Sequence, residues 1–195
     1  WEKRQEVNDI IHWEIWDIYW VCETIDDAIY KASKNIWINP NDIIINIPTS
    51  YIISETNKIN YLRKKPNSQI DNNELDTIIW KIEWFSLKKA KTNIKEKTGY
   101  SNLDLKLITS SITKILIDWE QVSNPIWFSW TNVTISVLNI FIPISKYNTI
   151  QTIWKELNKN ITSIVPLEFS IPKILENTNY AYDDIIFLDI WNTKT

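Results

Sequence analysis

The chain has 195 residues, enough for one domain, or one and a part, with a real hydrophobic core. Its net charge of −3, from 21 basic and 24 acidic residues, argues against a nucleic-acid partner. The single cysteine, Cys22, excludes an internal disulfide framework and fits a reducing compartment, and no run approaches the roughly 20 apolar residues of a membrane span.

Residues 7–18 read as extended, anchored by Ile10, Ile11, Ile15 and Ile18. A helix is predicted over about residues 24–35, with Ile25, Ala28, Ile29 and Ala32 on one face. Residues 42–48 make a short, mostly apolar run between Pro40 and Pro48, which predicts a buried strand. Strand, helix, strand is the grammar of an α/β layer.

Residues 49–65 have strand character through Tyr51, Ile52, Ile53, Ile59 and Tyr61, and end in a polar loop at 64–68. Asp71 with Glu74 three residues on forms a capping box. Leu75, Ile78, Ile79 and Ile82 then follow helical spacing, either to about Ile94 or to a break near Trp84, with Gly99 in the exit turn. Alternation predicts strands at 104–117 and 132–144. A helix is expected at 147–158, a strand or connector at 160–166, a helix at 168–175 and a strong final strand at 184–190. The lysines at 88, 89 and 91 read as a solvated helix face, and Arg63, Lys64 and Lys65 as a loop. No repeat has a solenoid period.

The tryptophans are the anomaly. The sequence holds 1 glycine and 12 tryptophans, and reading every tryptophan as glycine restores the usual share of about 7%. Position says the same. Trp37 follows the helix ending near Asn35 and precedes Pro40, the slot where glycine closes a helix. Asp118 and Trp119 lie between Ile117 and Val122, where Asp-Gly would make a two-residue hairpin with positive φ at both positions. Trp191 follows the run ending in Asp189 and Ile190, and a strand ending in Asp-x-Gly lets backbone N–H groups approach a phosphate. The chain is rich in Ile, Asn and Lys, as products of AT-rich genes are. Some bacterial lineages read the codon UGA as glycine where common tables read tryptophan. We therefore expect most of these tryptophans to be glycine in the living protein. The alternative is a Trp-rich carbohydrate-binding module.

With glycine at those positions, Asp118, Trp119, Asn124, Pro125, Ile126, Trp127, Phe128 and Trp130 resemble the DG…NPIG(M/F)xG segment of FtsA-type bacterial cell-division proteins, which have the actin-like ATP-binding fold. The run at 42–48 is similar to that family's strand before its inserted subdomain. Residues 70–75 resemble the start of the insert's helix, residues 162–170 the connector after it, and residues 187–195 the second phosphate loop, DIGGGTT.

The resemblance implies an α/β, actin-like (ribonuclease H-like) nucleotide domain in two parts, residues 1–50 and 145–195. Residues 51–144 would be an inserted strand–helix–strand–strand subdomain that contacts the neighbouring subunit of a filament. The implied cofactors are ATP and Mg²⁺, and the implied phosphate-loop residues are Asp189, Trp191, Asn192, Thr193 and Thr195. Asp189 would act through Mg²⁺ or a water, Trp191 as glycine would let the backbone approach a phosphate, and Thr195 would offer a hydroxyl. Self, FtsZ and the inner face of the cell membrane are the implied partners, the last through a helix outside this chain. A pilus-assembly ATPase or a sugar or acid kinase of the same fold is the alternative within that resemblance.

No methionine occurs, at position 1 or elsewhere, and the chain stops just after an apolar run, so a fragment of a longer product is expected. His12, the only histidine, reads as a strand residue and Cys22 as a small packing residue. Asp26 and Asp27 read as a helix start, and Asp183 and Asp184 as a turn; an acid–base pair is the other use of such neighbours.

Overall fold

The computed structural model describes residues 10–11, 14–36, 40–63, 65–99, 103–166 and 170. The expected helix at 168–175, the strand at 184–190, Trp37 and His12 lie outside those residues, apart from Ser170. Two dipeptides, β1 (Ile10–Ile11) and β2 (Glu14–Ile15), pair antiparallel. They replace the single extended segment expected up to residue 18. Helix α1 (Ile18–Ile36) starts earlier than its apolar spacing implied. The cause is Asp17, whose Oδ1 accepts the N–H groups of Tyr19 at 2.9 Å and Trp20 at 3.2 Å. Asp26 and Asp27 therefore stand inside the helix, where Asp27 pairs with Lys31 one turn on at 3.4 Å.

Strand β3 (Asp42–Ile47) runs parallel to β8 (Asn160–Pro166), so 160–166 is a strand and not a mere connector. The expectation of full burial fails on one face. Ile47 is buried and Ile45 packs inward, but Ile44 is 73% exposed. A short 3₁₀ turn, Thr49–Tyr51, then leads into β4 (Ile53–Leu62).

Helix α2 (Asn72–Thr98) begins as its capping box dictates, with the Glu74 N–H donating to Asp71 Oδ1 at 2.8 Å. It does not break at Trp84, and it runs past Ile94 to Gly99, whose φ of 76° closes it through an N–H to the Lys95 carbonyl. Strand β5 (Leu105–Ile117) turns into the short β6 (Glu120–Gln121), and β7 (Asn132–Pro143) returns between β4 and β5. The antiparallel order is β4–β7–β5–β6. The strand, helix, strand, strand sequence over 51–144 is thus present, with β6 added.

Strand β7 is common to two cores. Val133, Ile135 and Val137 point under α2 and meet Ile78 and Ile82, all buried. Ile142 points the other way and meets Ile47, Tyr51, Ile150 and Ile164. Each such isoleucine contributes roughly 1.5–3 kcal/mol on burial, so these two clusters dominate the packing. The first core has a polar centre: Ser86 Oγ accepts from Asn57 Nδ2 at 2.9 Å and Asn139 Nδ2 at 2.7 Å, and donates to the Ile82 carbonyl. A satisfied network of this kind fixes helix position and strand register, because a slip would strand its donors.

Helix α3 (Ile144–Glu156) leaves β7 with no loop between them and starts before the expected residue 147. It ends with Asn158 at φ 52° and the Lys159 N–H on the Trp154 carbonyl. Among the described residues no helix is long and apolar enough to cross a membrane.

Candidate functional site

Asp189, Trp191, Asn192, Thr193 and Thr195 lie outside the described residues, as do Asp183 and Asp184. The segment at 118–130 is described in full. Ile117 pairs with Glu120, which leaves Asp118 and Trp119 as a two-residue turn. Their φ values are 42° and 80°, the sign that a twisted hairpin requires at both positions. Asp118 fastens the turn to β7: its N–H donates to the Asn132 carbonyl and its Oδ1 accepts the Asn132 N–H.

The next turn is built by Asn124, whose Oδ1 accepts the Ile126 N–H at 3.0 Å. Trp127 follows at φ 75°. Its N–H donates to the Ile70 carbonyl at 3.1 Å, and the Ile70 N–H donates back to the Phe128 carbonyl at 2.9 Å. Gln69 and Ser129 extend this bridge by one antiparallel pair. The loop therefore clasps the entrance to α2.

Arg63 holds the clasp from below. Its side chain is fully buried, against the expectation of a charged loop. Nε and Nη2 donate to the two carboxylate oxygens of Glu74 at 2.9 and 2.7 Å. Nη1 donates to the carbonyls of Ser68 at 2.6 Å and Trp130 at 3.3 Å. The hydrogen bond to Glu74 raises the Arg63 pKa despite burial, which acts the other way. The capping-box glutamate thus serves two partners, which its spacing alone did not reveal. The lysines of α2 are engaged as well: Lys88 over the Trp84 ring, Lys89 with Glu55 and Lys91 with Asp104.

Most of the described tryptophans contribute little to the packing; the exceptions are Trp130 and Trp154, which lie against the two cores. Of the eight described, six are exposed, from Trp20 at 47% to Trp119 at 85%. Trp130 is partly buried, and its Nε1 has no acceptor. Two of the eight, Trp119 and Trp127, adopt positive φ, which costs a bulky L-residue about 1–2 kcal/mol. Among the described residues no indole stacks on another; the ring contacts are Tyr19 edge-on to Trp20 and Phe128 tilted against Trp130.

An open cleft of about 690 Å³ separates α1 from the end of α3, rimmed by Glu23, Asp26 and Glu156 with Cys22 at its base. Burial, then the Glu156 carboxylate, raises the Cys22 pKa and keeps the thiol protonated and unreactive. A smaller apolar cleft between α1, β3 and α3 is lined by Val21, Ile45, Ile47, Tyr51 and Trp154. Among the described residues no group of three or more His, Cys, Asp or Glu is placed to hold a metal ion. No family model matches the chain, and no curated protein matches it.

Proposed function

We propose that the chain is part of an ATP-binding, actin-like cell-division protein of the FtsA type, one that polymerises and links the FtsZ ring to the membrane. The observation that carries this is the left-handed backbone at residues 119 and 127. Both are positions where that family's segment has glycine, and both are occupied by an indole that makes almost no use of its side chain. The element order over 51–144 and the parallel β3–β8 pair support it.

In this reading ATP and Mg²⁺ meet the loop at 189–195. Asp189 would orient Mg²⁺ or a water. A bare backbone at 191 would let N–H groups reach the phosphates, Thr195 would offer a hydroxyl, and Asn192 and Thr193 would complete the loop. Nucleotide then governs assembly, and the inserted segment 51–144 meets the next subunit. Attachment to the inner membrane face falls to polypeptide outside these residues.

The test uses the full-length protein with glycine encoded at its tryptophan positions. Binding of a fluorescent ATP analogue is expected to weaken at least about tenfold in Asp189→Ala, the loss of one charge-bearing contact. Vesicle-bound protein is expected to recruit FtsZ. A protein that neither binds ATP nor recruits FtsZ sinks the proposal.

A further inference from the structure

The eight described tryptophans divide by what their indoles do. Trp119 and Trp127 stand at positive φ, and with Trp16, Trp20, Trp80 and Trp84 they make up the exposed six. Trp130 lies against the core under α2, but its buried Nε1 has no acceptor, and an unmade buried hydrogen bond costs stability. Trp154 differs from all of these. It is partly buried, its backbone is helical, and its indole packs against the core of Ile47, Tyr51, Ile142, Ile150 and Ile164.

Glycine at 154 is disfavoured by both backbone and packing. The residue lies in the last turn of α3, where glycine gives up more conformational freedom than any other residue. The left-handed slot that glycine suits is one turn further on, and Asn158 fills it at φ 52°. The indole also lines the apolar cleft of about 210 Å³ beside Val21 and Ile25 of α1 and Ile45 of β3. Bare backbone there would enlarge an apolar void, and the cost of a void grows with its volume. We infer that Trp154 is a tryptophan in the living protein, a wedge between α3 and the layer of α1 and β3, in a chain where Trp119 and Trp127 are glycine. The codon at 154 is then UGG, which means tryptophan in either reading, and the codons at 119 and 127 are UGA. The inference rests on the recoding reading above and marks where it stops. The protein used to test nucleotide binding therefore keeps its indole at 154.

Peptide mass spectrometry of the native protein reads residues 119, 127 and 154 directly, and the gene gives their codons. Glycine at 119 and 127 with tryptophan at 154 is the expected result. Tryptophan at 119 or 127 overturns the recoding reading and this assignment with it. Glycine at all three positions overturns this assignment alone. Stability gives an independent measure of the wedge. In the full-length protein with glycine at the other tryptophan positions, Trp154→Gly is expected to lower the urea midpoint by about 1 M or more. Trp154→Phe keeps an apolar ring and is expected to fall by a smaller amount, which stays measurable if the glycine variant does not fold. Midpoints in these variants equal to or above the parent's overturn the wedge.

Discussion

Replacing Trp119 and Trp127 by glycine is expected to stabilise the fold, against the usual direction for Trp→Gly. Both residues hold positive φ, at 80° and 75°, which costs about 1–2 kcal/mol each for a side chain with a Cβ. Glycine removes that cost and returns part of it, about 0.5–1 kcal/mol, as extra freedom of the unfolded chain. Little burial is lost, since the indoles are 85% and 74% exposed. The balance is about 0.5–1 kcal/mol per site, or roughly 1–2 kcal/mol for both, which raises Tm by about 2–8 °C in a chain of this size. Trp80→Gly is the control: it is also exposed, at 63%, but sits inside α2, where glycine is poorer than any residue except proline, so a loss of a few tenths of a kcal/mol is expected. Urea titrations followed by circular dichroism give the midpoints, with m unchanged. If Trp119→Gly and Trp127→Gly lower the midpoint as Trp80→Gly does, the backbone at these turns does not want glycine and the recoding idea loses its physical basis.

Arg63→Ala is expected to destabilise by about 3–5 kcal/mol in the same titration, because it leaves the Glu74 charge and two carbonyls without their buried donor. Arg63→Lys should recover only part of this, since an ammonium cannot reach both carboxylate oxygens and the carbonyls at once; full recovery would show that charge alone matters. Alkaline pH is expected to weaken the fold. Burial raises both Cys22 and Tyr51 above their ordinary values of 9.0 and 10.0, with Glu156 adding to Cys22. The unfolded chain then releases these protons first and binds fewer, so stability falls as pH rises from about 9. Midpoints at pH 7, 9 and 10.5 measure the slope, Cys22→Ala should remove its earlier part, and a flat profile would contradict the assignment.

Local chemistry made several of these elements legible in the sequence. The Asp71–Glu74 spacing located the start of α2, and alternation located β5 and β7 to within a residue or so; in β7 the buried and open faces alternate cleanly over residues 132–139, and in β5 only over 115–117. Asp118 with Trp119 was readable as a turn since a twisted hairpin asks for positive φ whatever residue stands there. The start of α1 was hidden: Ile10, Ile11, Ile15 and Ile18 suit either period, and the cap at Asp17 is one polar residue in an apolar run. Arg63 was obscured by Lys64 and Lys65, since a charge run gives no sign of which member turns inward. Ser86 did leave a trace, standing one turn after Ile82 on the apolar face of α2, but its partners Asn57 and Asn139 come from distant strands that only the fold brings together. The turn at Trp127 was visible through the family resemblance alone. The phosphate-loop residues 189–195 lie outside what the structure describes.

Strand β7 passes into α3 through Pro143 with no intervening loop. A proline junction has few torsions to spare, and the strand is hydrogen-bonded on both sides. The antiparallel sheet is therefore braced to α3 like a spoke to a hub, so a force applied at the hairpin tip travels along one continuous backbone into the α3 layer. Excising residues 51–144 as a free module would cut through that brace and expose Ile142, whereas lengthening the turn at 118–119 would leave it intact.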